Sequence, residues 1–477
     1  MRCAKPWRTP FSVEVEVAQD LRERFPSPDF ETVLEIARDL KAAGGHTLLV
    51  GGCVRDAILK SSPKDLDLEI RGLPPDRLRE VLARRHRLDE IGKSFGVLKL
   101  KGRDIEVSLP RTESKVEPGH KGFSVNVDPD LSFPEAAARR DFTINAIGLD
   151  PLTGERHDPH GGEKDLEKRI LRHVGPAFVE DPLRVLRGMQ LIARFNLTAA
   201  PETMSLCQTI DLEGLAAERI FEEWKKLILK GKSISAGLNF LRETTWLRFF
   251  PELEALVDCP QDPEWHLEGD VWVHTLHCMD AFAAERIDQE WEDLVVGLAV
   301  LCHDLAKPET TMKGEDGRIR SPKHEPLGEA PTRSFIVSMT NHKDLIEEVV
   351  PLVRRHLAPR MFYNDQVGDG AIRRLAHQVA RIDRLVRVAA ADIAGRPPKP
   401  PDFPEGQWLL ERAEALQVKD AAPKPLVQGR HLIERSLQPG PSFGPILDQC
   451  FEAQLDGAFD DLTSGLAHLD ELLAAQD

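Results

Sequence analysis

Two aspartates one residue apart, Asp65 and Asp67, lie in a run that otherwise reads as a buried strand, Asp65-Leu-Asp-Leu-Glu-Ile70. Successive strand side chains alternate faces, so the two carboxylates share one face about 7 Å apart along the chain, while Leu66 and Leu68 fill the other. Carboxylates held that way repel unless a cation lies between them, and magnesium is the usual oxygen-bound partner near phosphates. Glu106, in Asp104-Ile-Glu-Val-Ser108, alternates with Ile105 and Val107 and is the candidate third acid on a neighbouring strand. On spacing alone, a solvated strand face carrying surface acids competes with this reading. Upstream, Gly51-Gly52 follows an apolar run, with Arg55 shortly after. Glycines there let the backbone approach a ligand, and the next helix start offers N–H groups to phosphate. A glycine elbow, an arginine and then Asp-x-Asp describe a phosphate cradle beside a metal site. Neither Gly92-Lys-Ser94 nor Gly231-Lys-Ser233 has the upstream glycine of a P-loop.

The elements that must position these groups read as an α+β chain: a small α/β head with a mixed sheet, then a long helical body. A helix is expected over 30–43, strands over 46–50 and 65–70, helices over 54–59 and 75–85, and a hairpin of 97–100 with 105–109 turned at Gly102. From about Phe133 helical periodicity dominates. The segmentation expected is an extension over 1–29, a head over 30–170, a helical neck over 171–255, a further domain over 256–400 and a C-terminal helical region over 401–477.

Three further blocks follow the elbow and the Asp-x-Asp strand: Arg139-Arg-Asp-Phe-Thr-Ile-Asn-Ala146, Asp158-Pro-His-Gly-Gly-Glu-Lys-Asp-Leu166 and Glu180-Asp-Pro-Leu-Arg-Val-Leu-Arg187. In this order the motifs resemble the class II tRNA nucleotidyltransferase and bacterial poly(A) polymerase family, of the DNA polymerase beta superfamily, over roughly residues 45–255. The resemblance implies transfer of a nucleotidyl group from CTP or ATP to an RNA 3′-hydroxyl. Asp65, Asp67 and Glu106 would hold Mg2+, and Gly51, Gly52 and Arg55 the triphosphate. The block with Arg139, Asp141 and Asn145 would serve the ribose and phosphates; Asp141 and Asn145, four apart, are expected on one helix face. Glu180 and Asp181 suit a helix start. Asp181 and Arg184, with Arg187 behind them, would read the Watson–Crick edge of the incoming base. The polar stretch between Arg111 and Phe133, with Gly119 and Gly122, is expected to be a mobile loop, which the resemblance links to addition of the terminal A.

In the body, His274, His303-Asp304 and Asp392 form a spaced set that resembles an HD domain, with His324 and His356 fitting a subset that holds two metals. Imidazole with carboxylate suits a divalent transition metal (Ni2+, Mn2+ or Co2+) and activation of water for phosphoester hydrolysis. The C-terminal Gly429-Arg-His-Leu432 resembles the tail of HD-bearing members, with His431 where they carry an acid.

The chain has 63 basic and 79 acidic residues, a net charge of −16. An acidic sum argues against nucleic acid only as a bulk statement, because partners feel local patches. Lys225, Lys226 and Lys230, and a helix over 371–390 with Arg373, Arg374, Arg381, Arg384 and Arg387 against Asp383, are the candidate RNA-binding strips; a solvated helix face is the competing reading. No secretory leader or membrane span is evident, and seven scattered cysteines read as reduced thiols, so a cytoplasmic monomer or homodimer is expected. The partners expected are the tRNA 3′ end, CTP and ATP. A poly(A) polymerase, and an HD phosphohydrolase using the head as an RNA-binding module, are the rival readings.

Overall fold

The computed structural model describes residues 21–26, 28–61, 63, 65–91, 97–115, 123–398 and 402–475. It divides into two compact units, Met1–Arg219 with Glu243–Thr245, and Ile220–Arg242 with Trp246–Asp477. The division falls inside the segment expected as a neck, and 256–400 and 401–477 belong to the same unit.

The first unit is built on a seven-stranded sheet. Its strands are β1 (His46–Val50), β2 (Leu66–Arg71), β3 (Leu88–Ile91), β4 (Val97–Leu100) and β5 (Ile105–Ser108), with β6 (Arg111–Lys115) and β7 (Phe123–Val127) outside it, then β8 (Gly148–Leu149) and β9 (Arg156–His157). The order across the sheet is β3-β4-β5-β2-β1-β8-β9. Only β2 and β5 run parallel; the other neighbours are antiparallel, so the sheet is mixed as expected. Leu66, Leu68 and Ile70 on one face of β2 are fully buried, as are Ile105 and Val107 on β5. That alternation fixes register, because a one-residue slip would expose every one of these side chains. The 97–108 hairpin turns at Gly102, whose φ of +76° suits glycine. The ends of the stretch read as a loop are paired instead: β6 and β7 form an antiparallel hairpin, because Thr112 to Lys115 and Phe123 to Val127 are extended and in register. Gly119 and Gly122 lie outside the described residues.

The second unit is helical around its own core. The helices Val271–Ala284, Glu290–Cys302, Lys343–Arg355 and Ile382–Ala394 pack together through residues such as Trp272, Leu298, Val349 and Val388, all fully buried. The single basic helix expected over 371–390 is two helices, Asp369–Val379 and Ile382–Ala394, broken at Ala380 with φ +60°. At the C-terminal end, His431 is buried at the third position of the Gly429–Ile433 helix, and its Nδ1 accepts from the Gln428 N–H at 3.0 Å. A capping acid would take that bond, so the histidine keeps the cap without the charge. Cysteines 53, 207, 259, 278, 302 and 450 are buried free thiols. Among the described residues no helix is long and apolar enough to cross a membrane.

Candidate active site and a second candidate metal centre

The strand register delivers the acidic face the sequence implies. Asp67 stands directly opposite Glu106 on the parallel neighbour β5, and Asp65 immediately precedes β2. Burial first, then the charges of Glu106 and Asp65, push the Asp67 pKa up to about 6, against the opposing pull of Arg140. Three acids gathered at one point of the sheet are a donor set that suits a divalent cation. Lys99 lies 3.9 Å from Glu106. The elbow is adjacent: Gly51 has φ +77°, and a Cβ there would meet the Arg140 guanidinium at 3.1 Å and the Asp67 carboxylate at 3.6 Å. The positive φ, together with the close Arg140 contact, is what requires glycine at this turn.

Arg55 is engaged within the protein. Its guanidinium is buried, donates to Asn145 Oδ1 at 2.6 Å and to Asp56, and lies 4.4 Å from the Phe195 ring centroid. It braces the elbow from behind. The cation beside Gly51 and Asp67 is Arg140, which bonds Glu69 and the Asn145 carbonyl, both at 3.4 Å. Its signal in the sequence is the doubled arginine of Arg139-Arg-Asp.

Asp141 and Asn145 meet as expected, with Asn145 Nδ2 donating to Asp141 Oδ1 at 3.0 Å, but not on a helix. Only a 3-10 turn, Thr143–Asn145, forms there, because its backbone is held from outside. Thr143 bonds Asp165 at 2.8 Å, and Asp158 caps the N–H groups of Gly162 and Glu163. Gly162 lets the Thr143 carbonyl come so close that a Cβ would lie 2.1 Å from it. The Asp158–Leu166 block is therefore the buttress of the site. Burial alone would raise the Asp141 pKa; Arg187 at 2.7 Å, with bonds from Asn145 and Phe142, instead brings it down to about 2. A depressed carboxylate stabilises the fold above its unfolded pKa and loses that contribution as pH falls through the folded value. We expect Asp141→Asn to cost about 2 kcal/mol at neutral pH. Chemical denaturation should show the gap from the native chain closing as pH falls from about 4 towards 2.

Asp181 precedes the Leu183–Phe195 helix and accepts its first N–H, and its other oxygen pairs with Arg219 at 2.9 Å. Arg184 spends donors on the carbonyls of Ala177 and Arg139 at 2.6 and 2.7 Å, while Arg139 pairs with Glu180 at 2.5 Å. Burial pulls the Arg184 pKa down, with Asp141, Asp181 and Glu180 opposing. The expected side-by-side Asp181 and Arg184 are thus each tied to other groups, on one rigid helix start.

The cations of the two expected basic strips are engaged with acids and carbonyls. Arg384 bonds Glu292 and Glu348, Arg387 bonds Asp293, and Arg381 bonds Glu292 and Asp383. Arg374 pairs with Glu452 and Asp456, and Arg373 donates to the Leu455 carbonyl. These cations fasten helices together. Lys225 and Lys226 pair with Glu290 and Glu223; Lys230 is exposed at the end of the Ala217–Lys230 helix.

In the second unit the spaced histidines and aspartates converge. His274 Nε2 is 3.0 Å from Asp392 Oδ1, and His303 Nε2 is 3.1 Å from Asp304 Oδ2. Four rings are oriented alike: each Nδ1 bonds an oxygen, His274 to Glu268, His303 to the Val300 carbonyl, His324 to that of Ser321 and His356 to that of Val353. Each Nε2 is left facing the carboxylates, the arrangement of metal-ligating imidazoles. His303 Nε2 and both Asp304 oxygens are buried without a hydrogen-bond partner, although His303 and Lys307 lie within ion-pair distance of Asp304. Orphaned buried donors and acceptors of this kind fit a cation. His324 and His356 group with Asp304, and His274 and His303 with Asp392 and Cys278. Burial, then His303 and His324, push the His356 pKa down to about 3, leaving it neutral as a ligand must be. Although burial opposes it, His303 and Lys307 hold Asp304 well below the carboxylate range. Lys307 and Arg396, 2.7 Å from Asp304 and Asp392, were not foreseen, nor were His266 and Glu268.

A mixed sheet with facing acids beside a glycine elbow defines the class as a nucleotidyltransferase. Residues 47–172 match the Poly A polymerase head domain, and 198–256 the probable RNA and SrmB-binding site of polymerase A. The chain is 35% identical over 393 residues to the multifunctional CCA protein of Stenotrophomonas maltophilia (strain R551-3), covering 78% of this chain and 92% of that one. Against the protein of the same name from Xanthomonas campestris pv. campestris (strain B100) it is 36% identical over 392 residues, with the same coverage. The fold is shared with the Bacillus stearothermophilus CCA-adding enzyme in complex with CTP (TM-score 0.64, 23% identity, 94% of this chain and 99% of that one). It is shared too with the Thermotoga maritima CCA-adding enzyme complexed with tRNA_CCA (TM-score 0.57, 18% identity, 97% and 98%). The chain belongs to the multifunctional CCA protein family, whose members are tRNA nucleotidyltransferases.

Proposed function

We propose that this chain builds the CCA end of tRNA from CTP and ATP with Mg2+. The observation that carries the reading is Asp67 facing Glu106 across parallel strands, with Gly51 against the Asp67 carboxylate. Asp65, Asp67 and Glu106 hold the divalent cations, which when bound lower the pKa of the attacking 3′-hydroxyl and neutralise charge on the departing pyrophosphate. The Gly51 turn brings backbone close to the triphosphate, and Arg140 offers it a positive charge. The Asp141–Asn145–Arg187 unit fixes the ribose side of the pocket. Asp181 and Arg184 present acceptor and donors to the base edge on exchanging their present partners for it. The resemblance that links the 111–133 stretch to terminal A addition supports the full CCA reading over CC alone. That Lys225, Lys226 and Lys230 fall inside the segment matching an RNA-binding family supports a role for them in holding the RNA backbone, with Lys225 and Lys226 exchanging Glu290 and Glu223 for phosphate.

Transcripts lacking the whole CCA end, transcripts lacking only the terminal A, and an unrelated RNA, each given CTP and ATP separately and together, test this by product length. Three-residue extension of the first, one-residue extension of the second and inert unrelated RNA are expected. Long adenosine tails on all three would instead establish a poly(A) polymerase.

A second activity is favoured by the orphaned His303 and Asp304 atoms. His274, His303, Asp304 and Asp392, with His324 and His356, would hold one or two divalent transition metals (Ni2+, Mn2+ or Co2+) and hydrolyse phosphoesters.

A further inference from the structure

The Val271–Ala284 helix carries His274 and, four residues on, Cys278, so the two side chains share one helix face. Both are fully buried. Cys278 Sγ lies 3.4 Å from His274 Nε2, the ring atom that faces the carboxylates. Around a tetrahedral ion, nitrogen and sulfur donors bonded at about 2.0 and 2.3 Å stand about 3.5 Å apart. The two side chains thus already have the separation of neighbouring ligands. The donor atoms of His274, Cys278, His303 and Asp392 all lie within 4.8 Å of one another. His303, 1% exposed, holds an unpartnered Nε2 in that same group. Of the six buried free thiols among the described residues, Cys278 alone belongs to such a set. The fold makes room for its sulfur: a Cβ on Gly395 would lie 2.4 Å from Sγ, so any larger residue at 395 would displace it. The charges point the same way. Asp304 and Asp392 are each faced by a cation at 2.7 Å, Lys307 and Arg396, and Glu268 is shared by His266 and His274. A dication added to that balance needs a further anion, because uncompensated charge is costly in a buried site. A thiolate supplies it.

We propose that Cys278 is a sulfur ligand of this cluster, acting with His274, His303 and Asp392, so that their metal position takes a zinc- or cobalt-like ion in preference to Mn2+ or Mg2+; this rests on the reading of the cluster as a metal centre given above. Thiolate selects softer ions, whereas oxygen donors suit magnesium and manganese. The S–H proton leaves to solvent as the sulfur–metal bond forms, and no electron changes hands.

The test uses the full chain, stripped of metal by chelation and titrated with Co2+ alone. The native chain should develop a near-ultraviolet sulfur-to-cobalt charge-transfer band beside the visible bands of the bound ion. Cys278→Ser should lose the charge-transfer band while its circular dichroism stays native. The same variant should bind Co2+ about 100-fold more weakly, as much as even an outer partner of a ligand can be worth, and Mn2+ little changed. Should serine disturb folding, X-ray absorption of the Zn2+-loaded native chain decides instead, with a sulfur neighbour expected at about 2.3 Å from the metal. Bound Co2+ with visible bands but no charge-transfer band, or a charge-transfer band that survives in Cys278→Ser, overturns sulfur ligation and leaves the metal centre standing. Failure to bind Co2+ at all overturns both. A Cys278-dependent band in a chain that hydrolyses no phosphoester supports the ligand and overturns only the phosphohydrolase reading.

Discussion

Asp67→Asn lowers nucleotide addition by about 10³-fold, the several kcal/mol expected on losing a carboxylate that holds the catalytic cations. The same substitution stabilises the metal-free protein. Asp67 is crowded by burial and by the charges of Glu106 and Asp65, which push its pKa up to about 6, and Arg140 only partly offsets them. Its ionised form is a liability when no cation is bound. A neutral amide of nearly the same shape removes the repulsion, worth about 1–2 kcal/mol against an upper bound set by the whole shift. In a unit of this size that is a rise in melting temperature of about 2–8 °C in the presence of a chelator. Millimolar magnesium should then stabilise the native chain and leave Asp67→Asn nearly unmoved, since a ligand stabilises only what it binds. Calorimetry with and without magnesium, beside an extension assay, measures both halves. An active Asp67→Asn, or one less stable than the native chain in chelator, would remove the metal-binding role from this strand.

What made the head legible is that β-strands have a period of two and hydrophobic burial enforces it. Asp67 and Glu106 could be placed on one face from Leu66, Leu68, Ile105 and Val107 alone, and pairing of the strands then brought them opposite each other. Roles that depend on tertiary partners were not legible in the same way. Arg55 and Arg140 are both arginines in motif blocks; only packing decides that Phe195 and Asn145 bury the first while Gly51 and Asp67 face the second. Asp141 and Asn145, four apart, suggest one helix face, but Thr143 is anchored to Asp165 more than twenty residues on, and the backbone turns instead. The arginines from 373 to 387 look unopposed because Asp383 is their one acidic neighbour in sequence. Their partners Glu292, Asp293, Glu348, Glu452 and Asp456 come from remote helices. A local charge count is therefore a weak guide to a binding face once long-range ion pairs are available. The His and Asp set was readable by residue type, whereas Lys307, Arg396 and Glu268 carry no such signature and were found only by what they touch.

If the His and Asp cluster hydrolyses phosphoesters as proposed, Asp304→Asn and His303→Ala should each reduce that hydrolysis by about 10³-fold, since each would remove a donor to a water-activating cation. Nucleotide addition should continue in both, because Asp65, Asp67 and Glu106 belong to the other unit. Asparagine rather than alanine is the informative change at 304. Lys307 is 7% exposed; its ammonium lies at ion-pair distance, 2.7 Å, from Asp304 Oδ2 and donates a hydrogen bond to Gln261 Oε1. Asp304→Ala leaves that ammonium buried without its counter-charge, at a cost of about 3–5 kcal/mol. Lost hydrolysis in that variant would report unfolding as readily as lost chemistry. Asparagine still offers Lys307 an oxygen, so its second unit should melt within a few degrees of the native one while metal content, measured by mass spectrometry, falls. Because the Nδ1 bonds of His274, His324 and His356 do not involve position 304, those rings keep their orientation within the cluster. Residual metal is accordingly expected in Asp304→Asn, held less tightly, and hydrolysis should recover in part as the metal concentration is raised. Undiminished hydrolysis in both variants would place that activity somewhere other than this cluster.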